Sequence, residues 1–211
     1  MSAARRAAPL ALPRLGFGAA QLGNLYRETT DEEADGAVAA AWDAGIRYFD
    51  TAPHYGIGTS ERRLGQRLAR YPREEYLIST KVGRLLRPGP GTGDDSAHGF
   101  AVPDDHVREW DFSEAGVRRS HTDSLERLGL DRVDILFAHD PEEGPTQQAF
   151  AEGLPALARM REEGLVRAIG VGSKDAGVLL RAVRTVVGDL LILAGRYTLL
   201  EQHAADGLLA A

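Results

Sequence analysis

Short apolar or β-branched runs alternate along the chain with longer stretches whose apolar residues recur at helical spacing. The runs are residues 14–21 (RLGFGAAQ), 46–51 (IRYFDT), 76–82 (YLISTKV), 132–140 (RVDILFAHD), 167–173 (RAIGVGS) and 191–200 (LILAGRYTLL). Six strands are expected. The stretch between the first two predicts a helix: Thr30 and Glu33 have capping-box spacing, Val38, Ala41 and Trp42 form an apolar stripe, and Gly45 can close the last turn. Ser60 is expected to cap the helix running through Leu64 and Leu68. Ser113 is expected to cap one whose inward stripe is Val117, His121, Leu125 and Leu128, with His121 as a packing group. Residues 150–164 and 175–187 supply two more helices, with Pro155 near a start or a kink.

Strand, helix, strand with crossovers of this length requires parallel pairing. An open doubly wound sheet and a closed barrel both satisfy that order. GFGAAQLG, residues 16–23, lacks the GxGxxG spacing of a dinucleotide-binding turn, and polar residues end nearly every strand, so the α/β barrel is the better reading. One segment interrupts the alternation. Residues 84–106, rich in Gly, Pro and Asp, predict a long irregular loop leaving the third strand at the mouth of the barrel, where it would cover a substrate.

With 211 residues, 43% hydrophobic and 27% charged, the chain has the composition of one globular domain, residues 1–211. The net charge of −6, with arginines such as Arg62, Arg63, Arg118 and Arg119 interleaved with acids, argues against a nucleic-acid partner. The absence of cysteine removes disulfides and thiolate chemistry and is compatible with a cytoplasmic location. Arg5 and Arg6 precede only a short apolar stretch broken by Pro9 and Pro13, and no apolar run has the length of a membrane span, so neither a leader nor a membrane partner is expected.

The candidate chemistry lies at consecutive strand ends: Asp50 after the second, Lys81 on the third, His139 on the fourth, with Tyr55 on the loop following Asp50. A tyrosine hydroxyl has a reference pKa of about 10, and a neighbouring ammonium favours its phenolate. Lys81 can supply that charge. A buried lysine in turn needs an anion to stay protonated, which Asp50 can provide, and His139 can hydrogen-bond a substrate oxygen. Such a set exchanges a proton between carbonyl and alcohol and needs a separate hydride carrier. A metal-dependent hydrolase using His54, His139, Asp50 and Asp140 is the weaker alternative, because the first strand offers no HxH pair and Lys81 would set a cation beside the metal.

FDTAPHYGIGTSERRLG (49–65), STKVGRLLRP (79–88), DILFAHDPE (134–142), AIGVGSK (168–174) and LAGRYTLLEQ (193–202) together resemble the aldo-keto reductase superfamily. The likeness is strongest to its bacterial sugar-dehydrogenase branch, that of the D-threo-aldose 1-dehydrogenases and pyridoxal 4-dehydrogenases. The resemblance implies a (β/α)8 TIM barrel, NAD or NADP as hydride carrier, and a catalytic tetrad falling on Asp50, Tyr55, Lys81 and His139. It further implies oxidation of an aldose at C1 to a lactone, with a small carbonyl or sugar as substrate. Cofactor contacts would fall on Gly18, Thr51, Ser173 and Tyr197, with Gln21 nearby. Where relatives carry Ser-Asn after the fifth strand this chain has Ser173 and Lys174, and where many carry Gln on the sixth it has Ala194 or Gly195. The family pattern has eight βα units; about six are expected here, the seventh and eighth lacking. Self-association through the open sheet edges, or a catalytically incomplete remnant with a binding or regulatory role, are the alternatives this raises.

Overall fold

The described residues of the computed structural model are 10–185 and 188–211. Arg5, Arg6 and Pro9 of the N-terminal stretch, and Val187 at the end of the last predicted helix, lie outside them. Among the described residues eight strands form: β1 (Phe17–Gly18), β2 (Tyr48–Asp50), β3 (Leu77–Val82), β4 (Arg84–Pro88), β5 (His106–Trp110), β6 (Ile135–His139), β7 (Ala168–Ser173) and β8 (Leu190–Leu193). Six of them make one parallel sheet in the order β1-β2-β3-β6-β7-β8, so each pairs with the next βα unit in the chain.

The helices follow their local signals. α1 (Asp31–Asp43) starts in a full capping box: Thr30 Oγ1 accepts from Glu33 N at 3.1 Å and Glu33 Oε2 from Thr30 N at 2.9 Å. α3 (Glu114–Leu128) begins where Ser113 Oγ accepts from Gly116 N, and His121 is buried on its inner face. α2 (Thr59–Leu68) departs from expectation. Its cap is Gly58, at φ +76°, whereas Ser60 is wholly buried and donates to Ala19 O at 2.6 Å, tying the helix to the end of β1. A short turn, α4 (Thr146–Gln148), runs through a π-helical stretch, Ala149–Gly153, into α5 (Leu154–Glu162), with Pro155 in its first turn; α6 (Ala176–Thr185) follows β7.

Alternation along the strands divides the core in two. Phe49, Ile78, Val82, Leu136, Ala138, Ile169 and Val171 point outward and join Val38, Leu64, Val117, Leu128, Leu157 and Leu179 of the helices. Tyr48, Ile135, Phe137, Ala168, Leu190 and Ile192 form the inner cluster. α2 and α3 cross closely at Gly65, where a Cβ would lie 1.9 Å from Leu128 O.

Three expected extents change. The first strand is only two residues long, because Ala20–Gly23 turns into a 3-10 helix. The last ends at Leu193, since the chain turns at Gly195 with φ +67°, and Leu199 and Leu200 are exposed. Residues 84–106 are not an irregular loop: β4 and β5 pair antiparallel from Arg84–Trp110 to Pro88–His106, and Ser96–His98 forms a 3-10 turn between them. The hairpin holds because Leu85 is buried and because Phe100, with Ile57 and Val102 and with Leu86 packed against them, makes a small core of its own.

Candidate active site

The strand alternation that builds the inner cluster also delivers the chemistry. Asp50, Lys81 and His139 each share the inward parity of their strand and stand at or near its C-terminal end. Lys81 Nζ donates to Asp50 Oδ2 at 2.6 Å, to Tyr55 Oη at 3.1 Å and to Thr51 O at 3.0 Å. All three of its protons are therefore used. Asp50 Oδ1 accepts from Ser79 Oγ at 2.6 Å, and Tyr48 Oη lies 3.0 Å from that hydroxyl. The His139 ring stands edge-on to Tyr55, with centroids 5.8 Å apart and planes at 89°. The four residues expected to act together are together.

Burial alone would discharge Lys81, but the Asp50 carboxylate and the Tyr55 oxygen outweigh it and raise its pKa above the ordinary lysine value. Burial, reinforced by the cations Arg84 and Lys81, holds His139 well below the usual histidine range, so it is neutral. Tyr48 is pushed up to about 12 by burial and then by Asp50, so it stays a phenol.

A cleft of about 230 Å³ opens onto these groups, bordered also by Tyr26, His54, Phe100, Gly172, Ile192 and Ala194. Around it runs a guanidinium network that the sequence did not reveal. Arg84 donates to Asp140 Oδ2 at 2.8 Å and to Glu143 Oε2 at 3.0 Å. Arg108 clamps Asp95 with two hydrogen bonds and reaches both His54 Nδ1 and His54 O. The antiparallel pairing of β4 and β5 brings these arginines to one place. Ser79 could have been found, because it lies two residues before Lys81 and so faces the same side.

The expected cofactor contacts divide differently. Thr51 and Ser173 have outward parity. Thr51 Oγ1 pairs with Ser60 Oγ at 2.8 Å, and the Ser173 hydroxyl, though the residue borders the cleft, donates to Glu142 Oε1 at 2.6 Å. Gly18 has no atom within 4 Å of its would-be Cβ, so it does not serve close packing, and Tyr197 is exposed; neither borders the cleft. Among the described residues, no group of three or more His, Cys, Asp or Glu converges on a metal-sized site.

Gly172 presents no side chain beside the Lys81 stem, and Ile192 and Ala194 give an apolar surface next to it, a lining with room for a flat ring. The space beyond Lys174 is lined by Glu142, Glu143, Asp175 and Glu201, with Lys174 paired to Glu143 and Arg196 to Glu201.

Comparison with known proteins agrees with the geometry. The Aldo/keto reductase family model matches residues 14–211. A D-threo-aldose 1-dehydrogenase of a Pseudomonas species is 56% identical over 99% of this chain and 64% of its own length. The pyridoxal 4-dehydrogenase of Microbacterium luteolum is 37% identical over 92% of the chain and 61% of its own. A crystal structure of an aldo-keto reductase from Pseudomonas aeruginosa superposes with a TM-score of 0.69 at 33% identity, covering 94% of this chain and 71% of that one. The chain thus spans a little under two thirds of these two enzymes, and its six-stranded sheet is a partial (β/α)8 barrel. By family match, sequence identity and fold alike, the chain belongs to the aldo/keto reductase family.

Proposed function

We propose that the protein carries the proton-transfer machinery of an NAD(P)-dependent oxidoreductase that interconverts a carbonyl and an alcohol, acting on an aldose at C1 to give a lactone. The observation that carries this reading is the position of Lys81 Nζ, within hydrogen-bond reach of both Asp50 and Tyr55. When bound at the floor of the cleft, the nicotinamide supplies the hydride acceptor. Gly172, Ile192 and Ala194 would hold its ring.

The chain's own residues do the rest. Tyr55 Oη, as the phenolate that the Lys81 ammonium stabilises, takes the proton from the anomeric hydroxyl and becomes the phenol. Asp50 keeps that ammonium charged. His139, neutral, hydrogen-bonds the substrate oxygen and fixes it against Tyr55. The name of the 56% identical relative supports an aldose as substrate.

The test is turnover of an aldose with NAD and with NADP, followed by reduced-nicotinamide absorbance, in the native chain and in Tyr55→Phe. Loss of about 100-fold or more with cofactor binding unchanged is expected. Full activity in Tyr55→Phe would overturn the role of Tyr55. Failure of the native chain to bind either cofactor would favour the alternative, an incomplete relative with a binding or regulatory role.

A further inference from the structure

His54 sits one residue before Tyr55, borders the same cleft, and has no part in the proton transfer above. Its ring lies 5.6 Å from that of His139 and 6.2 Å from that of Tyr55, centroid to centroid. Arg108 Nε approaches His54 Nδ1 at 2.5 Å, and Arg84 Nη1 lies 3.4 Å from the same atom. A guanidinium can only donate. Nδ1 must therefore carry the lone pair, and the ring proton resides on Nε2, which has no hydrogen-bond partner among the described residues. Arg108 holds the backbone too, through His54 O at 2.9 Å, and is itself fixed by Asp95, which is 4% exposed. Edge-on packing against Phe100 and His98 leaves the ring little freedom.

From this arrangement we infer that His54 is a specificity residue: the Nε2–H tautomer, set by Arg108, donates a hydrogen bond to a hydroxyl oxygen of a polyhydroxylated substrate whose carbonyl carbon lies between Tyr55 and His139. This rests on the proposed function and deepens it by naming the residue that recognises the sugar. A donor of fixed tautomer favours a sugar over a plain aldehyde, because an aldehyde without a hydroxyl leaves the N–H without a partner in a partly closed site. Burial lowers the His54 pKa to about 2, helped by Arg84, Arg108, His98 and Lys174, so the donor does not become an imidazolium near neutrality. Asp95, Asp140 and Glu143, all paired with these arginines, are the acids that face the network.

Nitrogen-15 NMR of the full chain tests this directly. The expected spectrum shows His54 protonated at Nε2 alone and unchanged from about pH 5 to 8, where a free imidazole titrates with a pKa near 6.5. A proton on Nδ1, or titration in that range, overturns the assignment. L-fucose is then added, with propionaldehyde as the hydroxyl-free control. Displacement of the His54 Nε2–H signal by the sugar but not by the aldehyde is the supporting result. Movement of the Tyr55 signals without His54 overturns the role of His54 and leaves the proposed function standing; movement of neither overturns the sugar reading of the cleft, and the His54 role with it. His54→Phe should weaken L-fucose about tenfold, and His54→Gln, which sets an amide N–H near the Nε2 position, should restore most of it. Equal weakening in both variants would oppose the hydrogen bond.

Discussion

Asp50 Oδ2 and Lys81 Nζ lie 2.6 Å apart, the lysine 3% and the aspartate 17% exposed, so the cation at the centre of the cleft is neutralised before any substrate arrives. The pair ties β2 to β3 through side chains as their backbones are tied through the ladder. It bears on stability and on the proposed chemistry alike.

Lys81→Met separates those two roles. Asp50 keeps its bond from Ser79 but loses its cation, and breaking such a pair from one side costs about 3 kcal/mol. Asp50→Asn in the same chain should recover much of that stability while leaving turnover absent. Urea unfolding of the single and double variants measures the coupling, and additive losses would show that the two charges do not support each other.

Acid should destabilise the fold earlier than an average carboxylate-driven transition. His54, His121 and His139 all have lowered pKa values, with burial as the leading cause in each, whereas in the unfolded chain they return to about 6.5. The unfolded state then binds more protons, so stability falls as pH falls below about 6.5, each histidine contributing a slope approaching 1.4 kcal/mol per pH unit. Denaturant midpoints at about pH 7, 6 and 5 should decline steadily, and less steeply in His54→Gln. A flat profile would show that these rings are accessible.

Gly65→Ala should destabilise by about 1 to 3 kcal/mol, because the added methyl would meet the Leu128 carbonyl where α2 crosses α3 and a backbone cannot step aside as a flexible side chain can. Thermal unfolding reads this out. An unchanged midpoint would mean that the helices separate freely.

Arg108→Ala removes the clamp on Asp95 and the tie to His54 O, leaving Asp95 with His98 as its remaining side-chain partner. Amide exchange within residues 89–105 should quicken, while β3 and β6 remain protected. Uniform exchange across the chain would instead place Arg108 in the global fold.

The parallel alternation was legible because helical stretches separate the β runs, nearly every run ends in a polar residue, and α1 and α3 carry their own start or stop signals at Thr30, Gly45 and Ser113. The cluster of Asp50, Lys81 and His139 was legible because the three stand at consecutive strand ends, with Tyr55 on the loop after the first. Thr51 and Ser173 sit at outward positions, where their hydroxyls bond Ser60 and Glu142. Ser60 misled because a serine near a helix start also suits a buried bond to a distant carbonyl, here Ala19 O, which local sequence does not encode. The hairpin was hidden by its composition. Gly89, Gly91 and Gly93 read as an irregular loop, and the pairing of Leu85 with Glu109 joins residues too far apart for periodicity to register.

The two ends of that hairpin meet where Asp111 N donates to Gly83 O at 3.0 Å, directly after β3 and directly before α3. Everything from Arg84 to Trp110 is therefore an excursion that leaves and rejoins the barrel at a single point. A descendant sequence can lengthen, shorten or rewrite it without moving Lys81 or the crossing of α2 and α3. Selection can work on this module while the cluster of Asp50, Tyr55, Lys81 and His139 beneath it is inherited unchanged.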